Sequence, residues 1–188
     1  MAERIAVLGG LFDPPHLGHF LAARQALESK FAIDLVYLMP AYQHPWRDSF
    51  ASWEQRLAMT AFLANTKINI DAWEIQQKKT SYTIETVNNL LQRNDEYFWL
   101  VGSDALATFH QWKEYKTLQS MIKFLVFPRI GFPIGKLPRG FYSLEKSDLI
   151  ATNISSTILR ERIKNGQSIT NLVPEKVEAY IRKKHLYQ

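Results

Sequence analysis

Gly9-Gly10-Leu11-Phe12-Asp13-Pro14-Pro15-His16-Leu17-Gly18-His19 is the stretch that decides how this chain is read. Ahead of it, Ile5 to Leu8 is a short apolar run that the two glycines end. Behind it, Leu17 to Leu27 carries apolar residues at helical spacing, so the segment reads strand, glycine loop, helix. Glycines let a backbone come close to a phosphate, and a helix start adds unpaired N–H donors and the positive end of a dipole. An anion is the natural guest of Gly9 and Gly10. His16 and His19 are three apart, so they lie on nearly one face near that helix start and can both donate to phosphate oxygens. Read as cap or packing residues they would need no glycines beside them. Read as zinc ligands they would need a nearby carboxylate at ligand spacing, whereas Asp13 sits on the loop side.

Working outward, Leu35 to Met39 makes a second buried strand ending at Pro40, and a polar loop follows until Ser52. Ser52 opens a helix with Gln55 at capping-box spacing, for which Leu57, Ala58, Ala61, Phe62 and Ala64 supply the expected buried face. A third strand fits Ile68 to Ile70, a helix fits Thr83 to Gln92, and Tyr97 to Val101 is a fourth strand running into Gly102. Phe124 to Phe127 is a fifth strand before Arg129 and Gly131. Helices over Ser156 to Lys164 and Pro174 to Lys184 finish the chain, the first stopped by Gly166 and the second started by Pro174. The stretch from Gly131 to Asn153 shows little periodicity and no element is assigned to it. Strands alternating with helices imply right-handed crossovers: an α/β, Rossmann-like doubly wound fold with a mainly parallel sheet, helices on both faces and the C-terminal helices completing one domain. Ligands of such a sheet gather beyond the carboxyl ends of its strands.

The length of 188 residues suits a single domain over 1–188, and an apolar fraction of 46% with 22% charged residues suits a globular chain. No apolar run approaches membrane-spanning length and the N-terminus lacks the zones of a signal peptide, so a cytoplasmic location is expected. With no Cys, disulfide scaffolds, thiolate nucleophiles and Cys-ligated zinc are excluded. A net charge of +5 and a pI near 9.4 favour an anionic partner, which by charge alone could be nucleic acid, a membrane surface or a phosphorylated metabolite. The dense basic run Arg182-Lys183-Lys184 reads as a solvated helix end.

Gly-Gly-x-Phe-Asp-Pro-x-His-x-Gly-His, residues 9–19, resembles the first signature of the nucleotidyltransferases with the HxGH motif. Ile154-Ser155-Ser156-Thr157-Ile158-Leu159-Arg160 resembles their second signature. Its chemistry is also legible directly: hydroxyls and free N–H groups at a helix start can hold phosphate oxygens, and Arg160, about one turn in, can fork onto the same anion. Further stretches resemble nicotinate-nucleotide adenylyltransferases in particular, namely Ser81-Tyr82-Thr83-Ile84-Glu85-Thr86, Gly102-Ser103-Asp104-Ala105-Leu106, Trp112, and Leu172-Val173-Pro174 with Val177 and Tyr180-Ile181. The resemblance covers nearly the whole chain.

It implies adenylyl transfer from ATP to nicotinate mononucleotide, with Mg²⁺ accompanying the ATP and no metal site of the protein's own. The implied partners are these small molecules, with no nucleic acid and no membrane. His16, His19 and Arg160 take the catalytic positions, and Gly9, Gly10, Phe12, Ser155, Ser156 and Thr157 join them around ATP. By the same resemblance Thr83 and Trp112 enclose the pyridine ring and its carboxylate, which agrees with the stacking capacity of an indole and the anion preference of a helix start. Asp104, after the fourth strand, can accept from ribose hydroxyls or cap a helix, and Arg129 can meet a phosphate although Ile130 stands where the family has Pro. Where the family carries Pro-Pro-His-Lys after the second strand, this chain has His44-Pro45-Trp46-Arg47. Arg47 keeps the cation, but a planar fork and a point charge are not interchangeable.

The reaction so implied is in-line attack of an ionised phosphate on the α-phosphorus of ATP. It needs no general base and relies on positioning and on His16, His19 and Arg160 as charge stabilisers. Rivals on the same scaffold transfer adenylyl or cytidylyl groups to nicotinamide mononucleotide, phosphopantetheine or glycerol phosphate. A class I aminoacyl-tRNA synthetase fragment shares a related His-x-Gly-His but needs a Lys-rich second signature. A catalytically silent nucleotide-binding module would keep the phosphate loops without turnover.

Overall fold

A computed structural model describes residues 2–144 and 149–188. Along the chain run β1 (Arg4–Gly10), α1 (Leu17–Leu27), β2 (Leu35–Pro40), α2 (Trp53–Ala61), β3 (Ile68–Ile70), α3 (Trp73–Gln76), α4 (Thr83–Leu90) and β4 (Glu96–Gly102). A 3₁₀ helix (Ser103–Gln111), α5 (Tyr115–Met121), β5 (Lys123–Phe127), β6 (Phe141–Ser143), α6 (Ser156–Lys164) and α7 (Glu175–Lys183) follow. The six strands form one sheet in the order β3-β2-β1-β4-β5-β6, every neighbouring pair parallel. The expected doubly wound α/β architecture is therefore the observed one.

Alternate residues of each strand feed two cores, as the period of two demands. Ala6, Leu8, Val36, Leu38, Phe98, Leu100 and Leu125 face one layer, which Ala22, Ala23 and Ala26 of α1, Met59 of α2, Leu159 of α6 and Val177 and Ile181 of α7 cover. Ile5, Val7, Tyr97, Trp99, Val101, Phe124 and Val126 face the other, covered by Ile84, Val87 and Leu90 of α4, Phe109 and Leu118. α1, after β1, lies on the first face, whereas the 3₁₀ helix after the adjacent β4 lies on the second. The chain thus parts between β1 and β4, and a crevice opens at their carboxyl ends.

The five predicted strands are present, and a sixth, β6, lies inside the stretch left unassigned. Three residues give no period to read, and β6 exists because it pairs with β5, Phe124 opposite Phe141. Residues 145–148 of that stretch lie outside the described ones. α3, the 3₁₀ helix and α5 were not predicted either; each is four to nine residues long or has a three-residue period. Ser52 and Gln55 do close the expected capping box on α2, but the expected buried face of that helix is wrong. Ala61, Phe62 and Ala64 are exposed, and the buried side is Arg56, Met59, Thr60 and Leu63. The spacing i, i+3, i+4, i+7 is helical, yet two of its four members are polar, so apolar residues alone pointed to the wrong side. Among the described residues no helix is long and apolar enough to cross a membrane.

Candidate active site

The loop from β1 to α1 builds the floor of the crevice. His16 is the N-cap of α1 and is 2% exposed. Its backbone N–H donates to His19 Nδ1 at 3.2 Å, and the two imidazoles stack with centroids 3.8 Å apart. The Phe12 ring lies 4.7 Å from that of His19. Gly18 makes this stack possible: a Cβ there would stand 2.9 Å from His16 Cε1 and Nδ1 and 3.3 Å from the Ile154 carbonyl oxygen. Because His19 Nδ1 accepts a proton, the ring carries its own N–H on Nε2. Burial, then the Arg129 guanidinium, pushes the His19 pKa down to about 3. Burial, then His19 and Arg129, holds His16 well below its ordinary value. Both histidines are thus neutral at pH 7, so they act as N–H donors, as their spacing suggested, and the positive charge of the site is carried by arginines.

α6 closes the crevice from the first face. Its three hydroxyls are not equally available. Ser155 Oγ caps the helix by accepting from Ile158 N at 3.3 Å, and Thr157 Oγ1 accepts from Arg160 Nη2 at 3.3 Å, so each retains its own proton. Ser156 Oγ spends its proton on the Pro14 carbonyl at 2.8 Å. What the helix start keeps open is the N–H groups of Ser156 and Thr157, since that of Ile158 is taken by the cap. Arg160 Nη1 donates to the Asp13 carbonyl oxygen at 2.7 Å, and its guanidinium lies 4.3 Å from the centroid of the Phe50 ring. Asp13, 1% exposed, accepts from Phe50 N at 2.6 Å, Ala51 N at 3.1 Å and Tyr187 Oη at 2.7 Å. Beneath them the fully buried Arg56 donates to the carbonyls of Leu11, Ala41 and Tyr42 at 2.7–2.8 Å, tying the loop after β1 to the loop after β2.

On the opposite wall, Arg129 follows β5 and its Nε lies 3.8 Å from Asp104 Oδ1. Ser103 Oγ accepts from Arg129 N at 2.9 Å and donates to the Phe132 carbonyl at 2.6 Å, fixing that turn. Asp104 is not the cap of its helix: the N-cap is Gly102, and no side chain caps it. The cleft between these walls, about 500 Å³, is lined by Gly9, Gly10, Phe12, His16, His19, Arg47, Asp104, Trp112, Arg129, Ser155, Ser156, Thr157 and Arg160. Of the residues singled out in the sequence, Thr83 alone does not line it.

Thr83 lines a smaller chamber of about 120 Å³ that opens off the same cleft, with Gly9, Gly10, His44, Trp99 and Trp112 common to both. Gly9 is what admits the Trp99 indole, since a Cβ there would lie 2.7 Å from Trp99 Cζ2. Thr83 is the first residue of α4, whose N-cap Tyr82 offers no side-chain bond; Glu85 N donates to the Tyr82 carbonyl at 2.9 Å, so the N–H groups of Thr83 and Ile84 remain. Trp112 packs on Phe109 at 5.4 Å. Lys113 Nζ sits 4.4 Å over the Tyr82 ring and bonds Glu85 Oε1 at 2.8 Å. Glu74, at the chamber's buried side, accepts from Thr86 Oγ1 at 2.5 Å, and burial raises its pKa. Trp46, which departs from the family pattern, has its ring edge-on to that of His44 at 5.5 Å, and its backbone N–H donates to His44 Nδ1 at 3.2 Å. Burial, then Arg47, lowers His44 to about 4.

Sequence reasoning missed Asp13, Phe50, Arg56, Trp99 and Tyr187. Asp13 lay inside the quoted signature, so its signal was present; the others sit in patterns that read as core, loop or helix surface.

The profile of the cytidylyltransferase-like family matches residues 7–162. A protein of Opitutus terrae named "Probable nicotinate-nucleotide adenylyltransferase" is 36% identical over 192 residues, covering 98% of each chain. One of the same name from a Synechococcus species is 38% identical over 200 residues, 98% of this chain and 97% of its own. Among solved structures, the nicotinic acid mononucleotide adenylyltransferase of Plasmodium falciparum complexed with NaAD superposes with a TM-score of 0.78 over 98% of this chain and 97% of that one. At 20% identity this likeness speaks for the fold. The chain belongs to the cytidylyltransferase-like family and, within it, to the nicotinate-nucleotide adenylyltransferases.

Proposed function

We propose that the protein transfers the adenylyl group of ATP to nicotinate mononucleotide, forming nicotinate adenine dinucleotide and pyrophosphate in NAD biosynthesis. The observation that carries this reading is a single cleft at the β1/β4 switch point that holds two neutral histidine donors, Arg129, Arg160 and the open start of α6. It continues into an aromatic chamber under the start of α4. The triphosphate lies along the first part and the pyridine ring enters the second.

In the reaction a phosphate oxygen of the mononucleotide attacks the α-phosphorus, the bond to the bridging oxygen breaks, and pyrophosphate leaves with that electron pair. The nucleophile is already ionised, so no proton is removed. His19 Nε2–H and the His16 ring donate to phosphoryl oxygens, and Arg160, with Arg129 opposite, offsets the charge that builds on the departing pyrophosphate. Trp112 stacks on the pyridine ring, and the first turn of α4 with the Thr83 hydroxyl receives its carboxylate. Asp104 takes ribose hydroxyls, and Arg47 at the cleft mouth meets the mononucleotide phosphate. Mg²⁺ arrives on the ATP phosphates. Among the described residues no group of three or more His, Asp or Glu could hold a metal, and Asp13 already accepts from three donors.

The test is pyrophosphate release from MgATP with nicotinate mononucleotide and, separately, nicotinamide mononucleotide, with the dinucleotide identified by chromatography. Preference for the acid is expected. Preference for the amide would overturn the roles of Thr83 and Trp112, and turnover with neither would overturn the reaction. A His19→Ala protein should lose about 10²–10³-fold in turnover, as for loss of one preorganised donor.

A further inference from the structure

Arg160 is the cation of the second signature, and it must be frozen before it can serve a phosphoryl group, because a side chain of this length is otherwise free to rotate. None of the ion pairs among the described residues includes it. Three other contacts hold it: Nη1 on the Asp13 carbonyl, Nη2 on Thr157 Oγ1, and the guanidinium face on the Phe50 ring. Two of the three originate in Asp13. Its main chain supplies the carbonyl, and its carboxylate grips the N–H groups of Phe50 and Ala51, from which the Phe50 ring projects. Phe50 is 71% exposed, an aromatic that core packing does not explain.

We propose that Asp13, together with Tyr187 and Phe50, forms a positioning device for Arg160: the carboxylate sets the loop, the loop presents the ring, and ring and carbonyl together orient the guanidinium toward the nucleotide. Tyr187 completes it by donating to the same Asp13 Oδ1 at 2.7 Å, across 174 residues of chain. Burial and the Asp13 charge raise the Tyr187 pKa, so its hydroxyl stays a donor. The device holds Arg160 by a neutral carbonyl and an aromatic face, which leaves the guanidinium charge for an incoming anion, whereas a carboxylate partner would compete with the phosphate. None of the three side chains is a catalytic residue.

This proposal rests on the reading that Arg160 acts on ATP, and the test separates the two. Phe50→Leu, Tyr187→Phe and Arg160→Ala are made singly, and each of the first two is combined with the third. For each protein kcat, KM for ATP, KM for nicotinate mononucleotide and Tm are measured. Phe50→Leu is expected to lower kcat/KM for ATP about two- to five-fold, the worth of a cation–π contact at an exposed site, with KM for the mononucleotide and Tm unchanged. Tyr187→Phe should move the same parameters the same way, and Phe50→Trp, which keeps a ring, should retain full activity. In the Arg160→Ala background both effects should vanish, since positioning acts only through the residue positioned. If Phe50→Leu costs the same factor with and without Arg160, or costs nothing in the wild type, the positioning device is refuted while the role of Arg160 stands. Full turnover by Arg160→Ala alone would refute that role and the device with it.

Discussion

Gly18→Ala puts the arrangement of the two histidines to a direct test. A methyl at residue 18 would lie 2.9 Å from two atoms of the His16 ring and 3.3 Å from the Ile154 carbonyl oxygen. Ordinary carbon contacts begin at about 3.5 Å, so the ring must withdraw by roughly 0.5 Å. It has little room to move, because it is 2% exposed and lies against the His19 ring with centroids 3.8 Å apart, and His19 in turn contacts Phe12. The stability terms partly offset: overpacking costs about 1–3 kcal/mol, while Ala in place of Gly in a helix returns about 1 kcal/mol. At about 2–4 °C per kcal/mol for a chain of this size, Tm should drop by no more than about 8 °C. Turnover is more sensitive, since a displacement of about 1 Å can cost 10²-fold, and half that distance at one donor should cost on the order of 10-fold. Pyrophosphate release at 25 °C, read beside a thermal melt, separates the two effects. A variant with wild-type turnover would refute the placement of the His16 ring against the reacting phosphates.

Two further outcomes follow from buried charge. Arg56→Met should leave the carbonyls of Leu11, Ala41 and Tyr42 without their donors, costing at least about 3 kcal/mol and lowering Tm by about 6–12 °C; a melt within 2 °C of wild type would refute Arg56 as the tie between the two loops. Acid should destabilise the protein through His19 and His44, whose folded pKa values of about 3 and about 4 lie below the ordinary 6.5. Between 6.5 and those values the unfolded chain binds protons that the folded one does not, so stability is full above about pH 7 and falls as pH drops, by about 1 kcal/mol per histidine at pH 5 given their partial contact with solvent. A His19→Asn, His44→Asn double variant should show a flatter Tm between pH 7.5 and 5, and an equal slope would sink the assignment.

The local signals of this chain were enough for its frame. The glycine pair ending β1, the capping box of Ser52 and Gln55 and the helical spacing after residue 17 are properties of neighbouring residues, so the strand-helix alternation and the two signature loops were legible without coordinates. Most candidate site residues were named by the two signature stretches and the family resemblance they carry, and the parallel sheet gathers them at one end. The buried face of α2 was not legible, since it is decided by two loops that need a donor between them, and they draw Arg56 inward against its polarity. β6 has no period of its own and exists by pairing with β5. The neutrality of His16 and His19 depends on how much water the surrounding side chains exclude. The hold on Arg160 joins residues 147 apart, and that of Tyr187 on Asp13 joins residues 174 apart. Sequence patterns report the geometry of a segment with itself; burial, protonation and contacts across the chain depend on what packs against that segment, which only the closed tertiary structure decides.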